Sequence, residues 1–326
     1  MKKRRLFPKS RALQAGLTLV ELMIAMVLGL MVVGGVIAFF ISNNQSYRVN
    51  EALAKMQEDA RIALELLARE VRLAGGTSCV NFELITPSVI AKPAPSGAGM
   101  HTGVALQGFN NVTTVAGDGA TVANTDALLV SRGDECGATL TGNMTARNAN
   151  IQTVDASTCG WVAGQVLVIT DCMSTDIFRA SSVSNGASIT TTAHATNVNI
   201  DNRLSKAYDQ SARVMGYRAG TFYVATRDGG PALVVEDGVD ADPSNNPVIA
   251  DGVEDVQYQF GVDTTSDGSV DSYVDAGAVA DWSRVMAVRI AISMVSQGRG
   301  LTVGVAGDGR LRRTFTRTVT VRNRTL

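Results

Sequence analysis

At 326 residues and 45% hydrophobic content, the chain is long enough to bury a substantial core, which excludes disorder as its main state. Its net charge of -1 conceals an asymmetry: residues 1–16 hold six basic residues (Lys2, Lys3, Arg4, Arg5, Lys9, Arg11) and no acid, leaving 23 basic against 30 acidic residues, a balance of -7. An acidic body repels polyphosphate, so nucleic acid is set aside as the main partner.

Residues 17–41, LTLVELMIAMVLGLMVVGGVIAFFI, are apolar apart from Thr18, Glu21 and glycines. At helical rise the run spans roughly 37 Å, more than the ~30 Å hydrocarbon core of a bilayer. The basic residues before it predict a cytoplasmic N-terminus and an exported remainder. Residues 40–50 contain no small-x-small site of a secretory signal, and helical sequence continues through them. Glu21 breaks the apolar pattern. A carboxylate in lipid is costly and needs a partner. A cut between Gly16 and Leu17 would put a new α-amino group four residues before Glu21, and the two charges would then pair most usefully between neighbouring subunits.

From residue 42 the pattern turns amphipathic, with Leu53, Met56, Ala60, Leu64, Leu67 and Val71 at spacings of three and four. Glu51, Lys55, Glu58, Arg61, Glu65, Arg69 and Arg72 fill the other faces, and Gly75 and Gly76 end the pattern. The spacing predicts one helix from Thr18 to Ala74, half in lipid and half packed on a domain.

Beyond Gly76 the composition shifts to Gly, Thr, Ser, Asn, Val and Asp, with short apolar stretches between turn signals. The clearest strands alternate with period two. Val256, Tyr258, Phe260 and Val262 share one face of 253–262, and Met286, Val288, Ile290, Ile292 and Met294 share one face of 285–295. In 314–322, Phe315, Val319 and Val321 lie opposite a row of threonines. Further strands are predicted at 127–131, 165–170, 213–217, 221–226 and 232–235. Segments 86–125 and 173–205 lack periodicity and read as surface loops or insertions. A subdivision is placed near residue 205. The fold class is α+β, with the helix covering an antiparallel sheet.

Cys79, Cys136, Cys159 and Cys172 all follow the apolar run, and an even count in an exported domain favours two disulfides with three connectivities open. The preferred pairing is Cys79 with Cys136, tying the helix end to the sheet, and Cys159 with Cys172, closing a short loop. In DTTSDGSVDSYVD, Asp263, Asp267, Asp271 and Asp275 recur every four residues, a spacing of oxygen ligands that suits calcium. Val274 stands where an EF-hand has its bidentate glutamate, and the other reading is an acidic hairpin with Asp and Gly in turn positions. The arginines at 310, 312, 313, 317, 322 and 324 suit either nucleic acid or an edge strand paired with acidic loops. There is no GxSxG elbow, no P-loop and no HExxH, and with two histidines a catalytic base has few candidates; no enzyme is expected and no cofactor other than calcium.

The segment KSRALQAG followed by LTLVELMIAMVLGL resembles the prepilin leader and N-terminal helix of type IV pilins and pseudopilins. Gly16 matches the glycine before the cut and Glu21 the glutamate at the fifth mature position; Leu17 stands where phenylalanine is usual. EDARIALELLAREVRLAGG, VEDVQYQFGVD, SRVMAVRIAISMVS and TFTRTVTVRNR are similar to PilW-type minor pilins. The resemblance implies a pilin-like fold with a leader at 1–16, a transmembrane helix at 17–41, its amphipathic continuation at 42–76 and a β-rich domain at 77–326. It implies cleavage and N-methylation at Gly16 and Leu17 by a prepilin peptidase, and a register role for Glu21. Other minor pilins, the major pilin, an inner-membrane assembly platform and membrane lipid are the implied partners. The implied location is the bacterial inner membrane, crossed once, with the domain in the periplasm and later in the pilus. The implied function is initiation of pilus assembly in a priming or tip complex. A type II secretion pseudopilin is the alternative, followed by a tip adhesin or DNA-binding pilin.

Overall fold

The computed structural model describes residues 18–77, 85–92, 103–154, 156–186, 188–237, 242–301 and 308–324. The chain falls into two units that divide between Glu51 and Ala52. Helix α1 (Leu19–Leu73) passes through the division. In the first unit it carries an apolar run with a mean hydropathy of 2.8 over its best 18-residue window, none of that window buried. By length and composition it can cross a membrane.

In the second unit the same helix becomes one-sided, burying Met56, Ala60, Ala63, Leu64, Leu67, Ala68 and Val71. The alternation of large and small side chains lets a sheet approach closely while Leu64 and Leu67 fill the gaps between alanines. The helix stops where the glycines predict: Gly75 has φ +69°, a conformation that side chains resist. Its N–H donates to the Ser131 carbonyl at 2.8 Å, and Gly133 N–H donates to the Gly76 carbonyl at 2.7 Å, so the helix end is stitched into the sheet.

Fifteen strands follow among the described residues: β1 (Ser88–Val89), β2 (Leu106–Val112), β3 (Thr125–Thr139), β4 (Ile151–Val154), β5 (Val166–Thr170), β6 (Thr175–Arg179), β7 (Ser182–Asn185) and β8 (Ile189–Ala193) precede β9 (Arg213–Arg227). Then come β10 (Gly230–Glu236), β11 (Val248–Asp251), β12 (Val253–Val262), β13 (Ser272–Val274), β14 (Val285–Val295) and β15 (Arg312–Thr320). An eight-stranded sheet runs β1-β6-β5-β9-β10-β11, with β3 along the other edge of β9 and β2 outside β3. A four-stranded sheet runs β13-β12-β14-β15, and a small one β4-β8-β7.

One core joins the buried stripe of α1 to Val256, Tyr258 and Phe260 of β12, Val288, Ile290 and Ile292 of β14, and Leu128, Phe222 and Leu233 of the larger sheet. The strands at 253–262 and 285–295 occupy the expected residues with the expected faces inward. The carboxylate of Asp126 on β3 accepts the Tyr258 N–H at 3.0 Å and the Asn111 N–H at 3.1 Å, tying the two sheets together; burial pushes it above the ordinary aspartate range.

Two expectations are corrected. The segments read as loops, 86–125 and 173–205, contain β1 and β2 in the first and β6, β7 and β8 in the second. The expected breaks within 213–226 are absent, because β9 is one strand of 15 residues. Short strands rich in Ser, Thr and Asn carry too little apolar alternation to register as strands, and their pairing is decided by partners remote in sequence. Between β3 and β9, residues 140–212 form an insertion whose core holds Leu140, Ile151, Trp161, Leu167, Phe178 and Tyr208.

Candidate functional site

Glu21 lies in the first turn of α1, where the structure reveals a contact that the sequence reading missed. Thr18 N–H donates to Glu21 Oε2 at 3.0 Å, the Thr18 hydroxyl donates to the same oxygen at 3.1 Å, and Glu21 N–H donates back to Thr18 Oγ1 at 3.3 Å. This is a reciprocal capping box, and its signal, threonine followed three residues later by glutamate, was present in the sequence. Oε2 is thus committed to the helix end, while Oε1 makes no hydrogen bond among the described residues. Gly16, Leu17 and Cys79 lie outside the described residues.

In the β-rich domain, three side-chain contacts hold α1 to both large sheets. Arg132 of β3 donates through Nε and Nη2 to Glu70 at 3.0 and 3.4 Å, Arg317 of β15 donates to Glu65 at 2.7 Å, and Lys55 donates to Gln297 at 3.2 Å. The arginine beside it holds Glu65 below the ordinary glutamate range. Two further arginines at this end of the chain are also engaged. Arg312 donates to Glu254 at 2.7 and 2.9 Å and to Asp308 at 2.9 and 3.1 Å, and Arg324 donates to the Trp282 and Val285 carbonyls at 2.6 Å.

The disulfide pairing is corrected. Cys136 is bonded to Cys159, with their Cα atoms 5.5 Å apart, and Cys172 is separately disulfide-bonded. Cys159 closes the 3-10 turn Ala156–Cys159 before β5, whereas Cys172 follows β5. Cys159 is taken by Cys136, so the expected Cys159–Cys172 bond does not form. Cys136 sits in the irregular stretch of β3 between Gly133 and Gly137, where the register against β9 shifts. Replacing both Cys136 and Cys159 by serine is expected to cost on the order of 2–4 kcal/mol within the insertion. Thermal unfolding of the full chain in detergent reads this, and an unchanged melting profile would contradict it.

Three of the four aspartates serve a turn. Asp263 accepts the N–H groups of Ser266 at 2.5 Å and Gly268 at 2.8 Å, Asp271 accepts those of Thr264 at 2.7 Å and Thr265 at 3.0 Å, and Asp267 accepts that of Ser269 at 2.9 Å. Asp275 precedes the 3-10 turn Ala276–Ala278 and makes no capping bond with its side chain. Among the described residues no group of three or more His, Cys, Asp or Glu side chains is placed to hold a metal ion. Hydrogen bonds to Ser269 and Thr264 keep Asp267 and Asp271 below the ordinary range, as expected for carboxylates used as turn acceptors.

An apolar helix whose later half is buried in a β-rich domain, with a capped glutamate in its first turn, fits a membrane-anchored, pilin-like subunit. Two family models match the sequence: the prokaryotic N-terminal methylation motif over residues 11–37, and PilW, described as Type IV Pilus-assembly protein W, over residues 221–301. These two matches support a PilW-type type IV pilin, a structural subunit related to pilus assembly. Neither the curated proteins nor the solved structures contain a significant match to it. The PilW match runs from within β9 to just past β14, so the insertion at 140–212 lies outside both matched segments.

Proposed function

We propose that this chain joins other low-abundance pilins in a priming or tip complex and helps start pilus assembly from the bacterial inner membrane. The observation that carries the reading is Glu21: a carboxylate in an otherwise apolar helix, with Oε2 held by its own N-cap and Oε1 open to a neighbour. The methylation-motif match over residues 11–37 supports cleavage between Gly16 and Leu17 by a prepilin peptidase and methylation of the new N-terminus. A charge pair between that N-terminus and the Glu21 of an adjoining subunit offsets the cost of each charge in lipid and sets axial register. The β-rich domain then faces the periplasm and provides partner contacts.

The test compares three full-length variants for processing, membrane abundance and co-purification with the other minor pilins. Gly16→Val, which crowds the scissile bond, is expected to keep its leader. Glu21→Ala should be processed and inserted normally but lose about tenfold or more in co-purification, the equivalent of roughly 1.4 kcal/mol. Glu21→Asp should retain part of it. Equal co-purification by Glu21→Ala and the unmodified chain would remove the register mechanism.

A further inference from the structure

Sheet edges expose unpaired N–H and C=O groups, and proteins keep such edges short, covered, bulged or interrupted by proline. Most free edges here obey that rule. β1 has two residues, β13 three, β7 four and β11 four. β2 is longer but has the turn Ala276–Ala278 against it, with the Ala276 N–H donating to Asn110 Oδ1 at 3.1 Å. β15 is the exception. It has nine residues and no proline, its register against β14 is unbroken from Thr320 opposite Ala287 to Arg312 opposite Val295, and among the described residues it has no second partner strand.

The backbone bonds at its ends show which residues face outward. Val321 N–H donates to the Met286 carbonyl, and the Leu311 carbonyl accepts from Ser296. Antiparallel ladders alternate, so the odd-numbered residues turn their backbone groups to β14 and the even-numbered ones turn theirs to the open edge. The outward set is Arg312, Thr314, Thr316, Thr318 and Thr320, all exposed. The charges that could guard this edge are mostly used internally: Arg312 by Glu254 and Asp308, Arg317 by Glu65. Arg313 is exposed, has no ion pair among the described residues, and lies 6.0 Å from the Phe315 ring centre. Between Arg310 and Arg324 there are six arginines and no acid.

We propose that β15 is a strand-addition edge that takes up an extended segment of another pilus component, one carrying a carboxylate opposite Arg313. The inference rests on the pilin reading and supplies its interface. An added antiparallel strand would complete the outward hydrogen bonds of the threonine positions, and β-branched cross-strand neighbours suit that row. Charge selects the partner. A second β15 would bring three more arginines to the same edge, another Arg313 among them, whereas an acidic strand gives Arg313 a counter-ion.

The full chain in detergent is titrated with a capped nine-residue peptide of alternating threonine and valine with two aspartates, and with the same peptide carrying lysines instead. The aspartate peptide is expected to bind with a Kd of roughly 10–100 μM and to slow amide exchange at Thr314, Thr316 and Thr318. Thr316→Pro with Thr318→Pro removes only outward N–H groups, leaves the β14 ladder in place, and should weaken binding by about tenfold or more. Arg313→Glu, a surface change that does not threaten folding, should lose the aspartate peptide and gain the lysine one. Equal binding of both peptides, no binding up to about 1 mM, or unchanged binding by both variants would overturn the proposal. So would a self-association of the chain that the proline variant abolishes, since the occupant would then be a second copy. In cells, loss of minor-pilin co-purification by Glu21→Ala but not by the proline variant would remove the edge and leave the pilin reading standing.

Discussion

Leu67→Ala is expected to destabilise the β-rich domain by about 4 kcal/mol, within the range for deleting a fully buried leucine side chain. Leu67 is 0% exposed at the centre of the stripe that α1 presents to β12, β14 and the larger sheet. Its flanking buried positions include Ala60, Ala63 and Ala68, which have no side-chain atoms to move into the space. Helix and strands are also fixed by Gly75 and Gly133 at one end, so the site collapses poorly and the cavity persists. For a domain of this size the loss corresponds to a melting shift of about 10 °C. The control is Ile62→Ala on the exposed side of the same helix, where the change should stay within about 0.5 kcal/mol. Full-length protein in detergent, followed by circular dichroism during thermal unfolding, would show it; equal shifts for Leu67 and Ile62 would contradict the packing described.

Arg227→Met should cost about 4 kcal/mol at pH 7, because removing one member of a buried charge pair strands the other. Arg227 Nη2 donates to Asp118 Oδ2 at 2.8 Å and to the Pro243 carbonyl at 3.0 Å, and Asp118 is 4% exposed. The Tyr223 hydroxyl donates to the same carboxylate oxygen at 2.7 Å and accepts from Asn246 at 2.9 Å, and Asn246 also donates to Glu236 at 2.7 Å. Burial pushes the Asp118 carboxyl up, but hydrogen bonds from Arg227, Tyr223 and the Ala120 amide outweigh it and leave it below the ordinary aspartate value. Its stabilisation is therefore present above the unfolded-state value and is lost as pH falls through the lower folded one. Without Arg227 the upward push of burial dominates, so the folded carboxyl binds its proton earlier than the unfolded one. The deficit of the variant is then expected to shrink as pH is lowered from 7 toward 4. Chemical denaturation at a series of pH values measures this, and a deficit that widens on acidification would contradict the assignment.

The local features of this protein were legible because they are carried by neighbouring residues. The apolar run, the amphipathic stripe from Met56 to Val71 and the helix stop at Gly75 each depend on side-chain periodicity or on one backbone conformation. The strongly alternating strands β12 and β14 are buried on one face over their length, so period two marks them directly. The Thr18–Glu21 box is equally local, carried by a threonine and a glutamate three residues apart.

What only the tertiary structure decided are the relations between segments far apart in sequence. The chain by itself determined a membrane-length helix, its amphipathic continuation and an α+β class, since burial and backbone hydrogen bonding must be satisfied locally within each element. It did not determine that Cys136 meets Cys159, because that depends on where the β3 irregularity sits relative to a turn formed 20 residues later. Nor did it determine that residues 140–212 build a second core together with Ile90, Ala138 and Val214: polar, Thr-rich strands gain their stability from partners, and partner choice is a global balance of loop entropy and packing. The nine-residue open edge of β15 belongs to the same kind. Its threonines are visible in sequence, but that strand order leaves one side without a neighbour follows only from the pairing of β12, β13 and β14 around it.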